Sequence, residues 1–160
     1  MNIRLSSRPP VELHLLATAA SLKRAYEQPH DIAMKGAIDL ATETDLAAEA
    51  IISASLSNDT PDIMIMAEET ITFHSLETDR YWVVDPLDGT TNFAHGFPYF
   101  AVSIALLDHG RPLVGAVYAP LLDELFCVSK GSGSWLNDRI VTVTKTRRLI
   151  EGAYRYIHDK

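Results

Sequence analysis

The sequence has a single cysteine, Cys127, in 160 residues. One thiol cannot form an intramolecular disulfide, and it cannot supply the paired thiolates of a structural zinc site. Its neighbours Leu125, Phe126 and Val128 are apolar, which reads as a core thiol in a reducing compartment. Long apolar runs are missing too: none approaches the roughly 20 residues that a membrane-spanning helix needs. The segment after Arg4 and Arg8 begins like a signal peptide, but Glu12 and His14 break its apolar part. The expected compartment is the cytoplasm, with no membrane partner. Positive charge is scarce, with 14 Lys and Arg against 21 Asp and Glu and a formal net charge of -7. Such a surface repels polyanions, so nucleic acid is not an expected partner. Internal repeats, low-complexity tracts and linkers are also absent. What remains is 47% hydrophobic and 22% charged, the balance of an ordinary globular domain. A single domain over residues 1–160 is expected, since this length supports one core.

Two helices are expected first. Val11, Leu15, Ala19, Leu22 and Tyr26 recur at steps of three and four over residues 11 to 27, ending before Pro29. A second helix is expected over 45–56, with Thr44 capping its first turn and Ala47, Ala50, Ile51 and Ala54 as its apolar stripe. From Asp62 the texture changes to short β runs. Ile63 to Met66 leads into Glu68 and Glu69, and Tyr81 to Val84 leads into Asp85, so both strands deliver acids at their ends. Phe100, Val102, Ile104 and Leu106 alternate with Ala101, Ser103 and Ala105, so one sheet face is bulky and the other small enough for a helix to approach closely. Residues 113–118 and 124–129 read as antiparallel strands joined by a turn, with a further bend at Gly131 and Gly133. Residues 147–160 show only weak helical periodicity.

The chemistry concentrates in Trp82-Val83-Val84-Asp85-Pro86-Leu87-Asp88-Gly89-Thr90-Thr91-Asn92-Phe93, which reads as strand, acid turn and helix start. Pro86 fixes φ and lacks an N–H, so the turn can aim Asp85 and Asp88 at one point with the Leu87 carbonyl between them. Three oxygens facing one point suit a hard cation such as magnesium or calcium. Gly89 permits close backbone approach, and the N–H groups of Gly89, Thr90 and Thr91 at a helix start offer an anion site beside that cation. A cation would reverse the local field that an acidic protein otherwise presents to phosphate. His95 follows in a short loop and reads as a surface or packing residue, while Trp82, Phe93, Phe97 and Phe100 read as core aromatics. Lys35 reads as an exposed lysine.

Three segments in order, Lys35 with Asp39-Leu40-Ala41-Thr42-Glu43-Thr44-Asp45, then Ala67-Glu68-Glu69, then Trp82 to Phe93, resemble successive motifs of the inositol monophosphatase family. Similarity continues through Gly96-Phe97-Pro98, the strand at 100 to 107, Gly115 to Pro120 and Gly131 to Asn137. Ala67 stands where the family usually has Gly, and Ala41 where Val is usual. The resemblance implies an α+β, layered sheet-and-helix fold of the sugar-phosphatase kind, of which this chain is the N-terminal half with a mainly antiparallel sheet. The family's second half, which brings a Trp-Asp motif and most contacts to the substrate's alcohol part, has no counterpart in these residues.

The same resemblance implies a ligand set of Glu68, Asp85, the Leu87 carbonyl and Asp88 for two or three Mg2+ ions. Asp45 would hold a further ion through water, and Thr90 with Glu69 or Glu68 would position the attacking water. The implied reaction is hydrolysis of a small phosphate monoester, inositol monophosphate first, by a lithium-sensitive homodimeric enzyme. Fructose bisphosphatase and bisphosphate nucleotidase are the rivals within the superfamily, and Thr91-Asn92-Phe93 favours the inositol branch. A chain that binds metal or a partner without turnover is the rival outside it.

Overall fold

The computed structural model describes residues 12–27, 34–68 and 80–148, with the backbone alone at 12, 13 and 34–42. Helix α1, Glu12–Tyr26, and helix α2, Met34–Asp59, precede seven strands: β1 (Met64–Ala67), β2 (Arg80–Asp88), β3 (Ala101–Asp108), β4 (Arg111–Ala119), β5 (Glu124–Ser129), β6 (Gly133–Leu136) and β7 (Arg139–Val141). A short helix α3, Thr90–Ala94, sits between β2 and β3. The strands form one sheet in sequence order. β1 pairs with β2 in parallel, and every later pair is antiparallel. The expected α+β fold with a mainly antiparallel sheet is the observed one.

Helix α1 keeps its expected stripe: Leu15, Ala19 and Leu22 are buried and Tyr26 packs at the edge of the core. Helix α2 does not. It begins eleven residues before Asp45, so Thr44 lies inside it and caps nothing. Its buried side is Thr44, Asp45, Ala48, Glu49, Ile52 and Leu56, while the expected stripe is mostly exposed, with Ala47, Ala50 and Ala54 in solvent. Burial scales with apolar area, so Ile52 and Leu56 outweigh three methyl groups. The roll that buries them also carries Asp45 and Glu49 inward.

Both helices cover the same side of the sheet. Its row of directly opposed residues, Val84, Ile104, Ala116, Cys127 and Trp135, is buried throughout, and Cys127 is the expected core thiol. The bulky side of the β3 alternation, Phe100, Val102 and Ile104, is therefore the helix-covered one. Polar bonds tie the layers together. Trp82 Nε1 donates to Thr60 Oγ1 (3.0 Å) beyond the end of α2, and His14 on α1 shares a 2.6 Å hydrogen bond with Ser55 on α2. The far turns are joined by Asn137, whose Oδ1 accepts from Leu125 N–H (2.8 Å) and whose Nδ2 donates to Asp123 O (2.9 Å). Residues 149–160 lie outside the described residues, so the weak helical pattern there is not addressed by the structure.

Candidate functional site

Parallel pairing builds the site. β1 and β2 run side by side with Ala67, the last residue of β1, opposite Val84, so Glu68 arrives beside Asp85. A backbone bond from Glu68 N–H to Val84 O, 3.2 Å long, fixes that approach. Along the other edge of β2, Asp85 opposes Ser103 while Asp88 opposes Ala101, so three steps on one strand match two on the other. This bulge falls on Pro86 and Leu87, where Pro86 could not have donated to the ladder. It turns β2 sharply enough to keep Asp88 near Asp85.

The Asp85 carboxylate accepts from Leu87 N–H at 3.2 Å, and the Thr90 hydroxyl donates to Leu87 O at 3.0 Å. Leu87 is thus gripped from both sides, and its carbonyl keeps a second lone pair. Burial, followed by the charges of Glu68 and Asp88, pushes the Asp85 carboxyl up from 3.8 to about 6, and a hydrogen bond between the Glu68 and Asp85 side chains adds to the rise. The Leu87 N–H acts in the opposite sense and is outweighed. Asp85 and Glu68 therefore sit close enough to contend for one proton, with Asp88 in electrostatic reach. Hard oxygen donors under mutual repulsion are chemically suited to a divalent cation, which relieves the repulsion as a proton does. Among the described residues, no three or more His, Cys, Asp or Glu side chains are grouped so that they could hold a metal ion. Glu68, Asp85 and Asp88 are all described, and their three carboxylates do not make up such a group.

Gly89 ends the strand with φ +95°, and an added Cβ would lie 3.1 Å from Tyr99 O and 3.3 Å from Phe100 Cα. Both the left-handed backbone and the close approach require glycine. Helix α3 starts at once, but with five residues it adds little dipole, so an anion here would depend on individual N–H groups. Residues 89–100 are fastened by contacts that periodicity could not reveal. Tyr26 packs against Phe93 and Phe100 with ring centroids 5.8 and 5.3 Å away, and its hydroxyl donates to Gly96 O at 2.7 Å. Asn92 Nδ2 donates to Tyr99 O, also at 2.7 Å.

The structure thus places Glu68 beside Asp85, ties Leu87 to Asp85 and to Thr90, and leaves Asp88 within electrostatic reach of Asp85. Asp45 is buried on the side of α2 that packs against β2 and α3. Thr91 is exposed on α3, and its carbonyl accepts from the His95 N–H. Glu69 lies outside the described residues, as does the Lys35 side chain. Trp82, Phe93 and Phe100 are core aromatics as expected, whereas Phe97 is 58% exposed and is not. Gly96 and Pro98 around it form a surface loop with no strand or helix to bury the ring. Among the described residues no helix is long and apolar enough to cross a membrane.

Residues 10–158 match the inositol monophosphatase family. Inositol monophosphatase 2 of Solanum lycopersicum is 43% identical over 130 residues, which cover 79% of this chain and 49% of that one. The Nus factor SuhB of Vibrio cholerae is 42% identical over 115 residues, covering 72% and 43%. The crystal structure of the extragenic suppressor protein SuhB from Bartonella henselae superposes with a TM-score of 0.75 at 38% identity, covering 87% of this chain and 54% of the other. The chain spans about half the length of the curated relatives it matches. With the match running through the strands, the acid turn and α3 alike, the chain belongs to the inositol monophosphatase family.

Proposed function

We propose that this chain carries the metal-binding and water-activating half of a magnesium-dependent phosphomonoesterase acting on inositol monophosphate. The observation that supports it most is the meeting of Glu68 and Asp85 where the end of β1 lies along β2, close enough to raise Asp85 to about 6. Glu68, Asp85, the Leu87 carbonyl and Asp88 would hold Mg2+, two or three ions per site, with Asp45 reaching a further ion through water. Bound magnesium supplies acidity to the attacking water and neutralises charge on the phosphate and leaving oxygen. Thr90, held by Leu87 O, keeps its hydroxyl lone pairs to orient that water. Glu69 or Glu68 takes the proton, and the N–H groups of Gly89, Thr90 and Thr91 orient the phosphate beside Asp88. Lithium sensitivity, a homodimer and a cytoplasmic location belong to the same reading.

The family name borne by the tomato relative supports the substrate, and the family's second half would hold the substrate's alcohol part. The test is phosphate release from inositol monophosphate across a magnesium titration, on the chain joined to a second half from a relative. Asp88→Asn is expected to lower turnover by at least about 100-fold, since the amide keeps the shape but loses the charge that holds the cation. Near-normal turnover at saturating magnesium would reject the role. Thr90→Ala should lower the rate with a smaller effect on magnesium affinity. A second reading, metal or partner binding without turnover, is favoured by the half-length match, and catalysis by the joined protein but none by the chain alone agrees with both.

A further inference from the structure

Helix α3 cannot hold its own direction. It has five residues, about one and a half turns, and a helix that short is not stable by itself. It leaves the acid turn through Gly89, whose backbone admits many exit angles. Its inner bonds, Phe93 N–H to Gly89 O (3.0 Å) and His95 N–H to Thr91 O (3.2 Å), keep it helical but do not aim it. What aims it lies at the other end. Phe93 is fully buried against Tyr26 and Phe100, with ring centroids 5.8 and 5.1 Å away. Apolar contacts of this kind fix its depth and are not directional. The directional contact is the hydroxyl of Tyr26, the last residue of α1, which donates to Gly96 O at 2.7 Å. Gly96 N–H donates in turn to Phe93 O at 3.1 Å, so the carbonyl that Tyr26 holds belongs to the residue that closes the helix. Gly96 is at the surface, where water would satisfy its carbonyl as well, so the bond adds direction more than stability.

We propose that Tyr26 is a positioning residue for the hydrolysis: by holding Gly96 it sets the tilt of α3, and with it the aim of the Thr90 hydroxyl. Thr90 is the first residue of α3, and its hydroxyl proton is committed to Leu87 O at 3.0 Å. The lone pairs left for a water therefore point where the helix turns them. The role of Tyr26 rests on Thr90 orienting the attacking water, as proposed above, and names what orients Thr90. Its size is moderate, because Phe93 and the Gly89 turn stay in place without the hydroxyl. Loss of one neutral hydrogen bond shifts an equilibrium about fivefold, which bounds how far the correctly aimed population falls.

The test crosses Tyr26→Phe, which keeps the ring and removes the hydroxyl, with Thr90→Ala in the chain joined to a second half from a relative. Phosphate release from inositol monophosphate is followed in all four proteins. Tyr26→Phe alone is expected to lower kcat about fivefold with KM and the magnesium midpoint unchanged, since Glu68 and Asp85 stand outside α3. In the Thr90→Ala background the same substitution is expected to change kcat by less than about twofold, because the residue it acts through is gone. In the chain alone, amide hydrogen exchange at Phe93 and Gly96 is expected to accelerate about fivefold in Tyr26→Phe, while the amides of β4 and β5 keep their rates. Equal kcat for the parent and Tyr26→Phe overturns the proposal. Losses that multiply in the double variant overturn it as well, since Tyr26 would then act on stability and not through Thr90. So does unchanged exchange at Phe93 and Gly96. A joined parent without turnover at any magnesium concentration is a separate failure: it overturns the reading of the whole site, and the role of Tyr26 falls with it.

Discussion

The two faces of the sheet are built from alternate residues of the same strands and differ in what this polypeptide does with them. On one, Val84, Ile104, Ala116 and Cys127 lie under α1 and α2 and are lost to solvent. On the other, Val83, Val117 and Val128 stay about two-fifths exposed although they are no less apolar. A β-strand offers both faces at no extra backbone cost, so the contrast marks what covers the sheet, not the quality of the strands. Stability resides on the covered face. The open face carries Asp85, and with it the candidate chemistry.

The sharpest way to break this contrast is to place the same charge on each side. Ile104→Asp puts a carboxylate under the helices with no partner and should cost more than about 4 kcal/mol, enough to unfold a domain of ordinary stability. Val117→Asp, one strand away on the open side, should stay within about 1 kcal/mol and keep a cooperative melt. Melting followed by circular dichroism decides. Equal losses would mean that the open face is packed in solution, and the two faces would no longer be distinguishable by energy.

Much of this was legible in the sequence because strand patterns have a short period and the acid turn has a fixed local geometry. The alternation over 100–106 identified a bulky and a small face, and the structure adds which of them the helices choose. The acids of Glu68 and Asp85 were legible as strand ends. Their meeting depends on a parallel register that neither strand encodes by itself. Helix α2 was misread because three alanines at helical spacing form as regular a stripe as Ile52 and Leu56, and only the packed area tells them apart. The tether from Tyr26 to Gly96 spans 70 residues and has no local signature.

Where the two faces converge at the end of β2, Gly89 permits a test that isolates the site's framework from its charges. Gly89→Ala must hold φ near +95° and push a methyl group to within 3.1 Å of Tyr99 O. The cost should be about 2 kcal/mol, from the left-handed backbone and the displaced loop. It should appear in urea melts as a lower midpoint with an unchanged slope. A loss below about 0.5 kcal/mol would show that the acid turn and its neighbouring loop adapt freely, contrary to a preformed site.

The smallest effect separates the charges of the open face from its packing. Asp85 titrates near 6 in the folded chain and near 3.8 when unfolded, so between those values the folded state binds the extra proton. Its stabilising contribution is complete below the lower value and is lost as pH rises through the upper one. At pH 7 the ionised Asp85 therefore opposes folding of the metal-free chain. The full shift would correspond to about 3 kcal/mol, but Asp85 is partly exposed and solvent screens its neighbours, which leaves about 1 kcal/mol. Asp85→Asn removes that charge. The metal-free variant should melt a few degrees above the parent at pH 7, and the difference should close towards pH 4, where the parent carboxyl is protonated. Magnesium acts on the parent as the proton does, raising its melting temperature in proportion to the logarithm of its concentration once the site fills, and it should raise that of Asp85→Asn far less. Parallel melting profiles for the two proteins across pH 4 to 7 would mean that Glu68 and Asp88 do not load Asp85, and a magnesium shift of equal size in both would remove Asp85 from the cation's ligands.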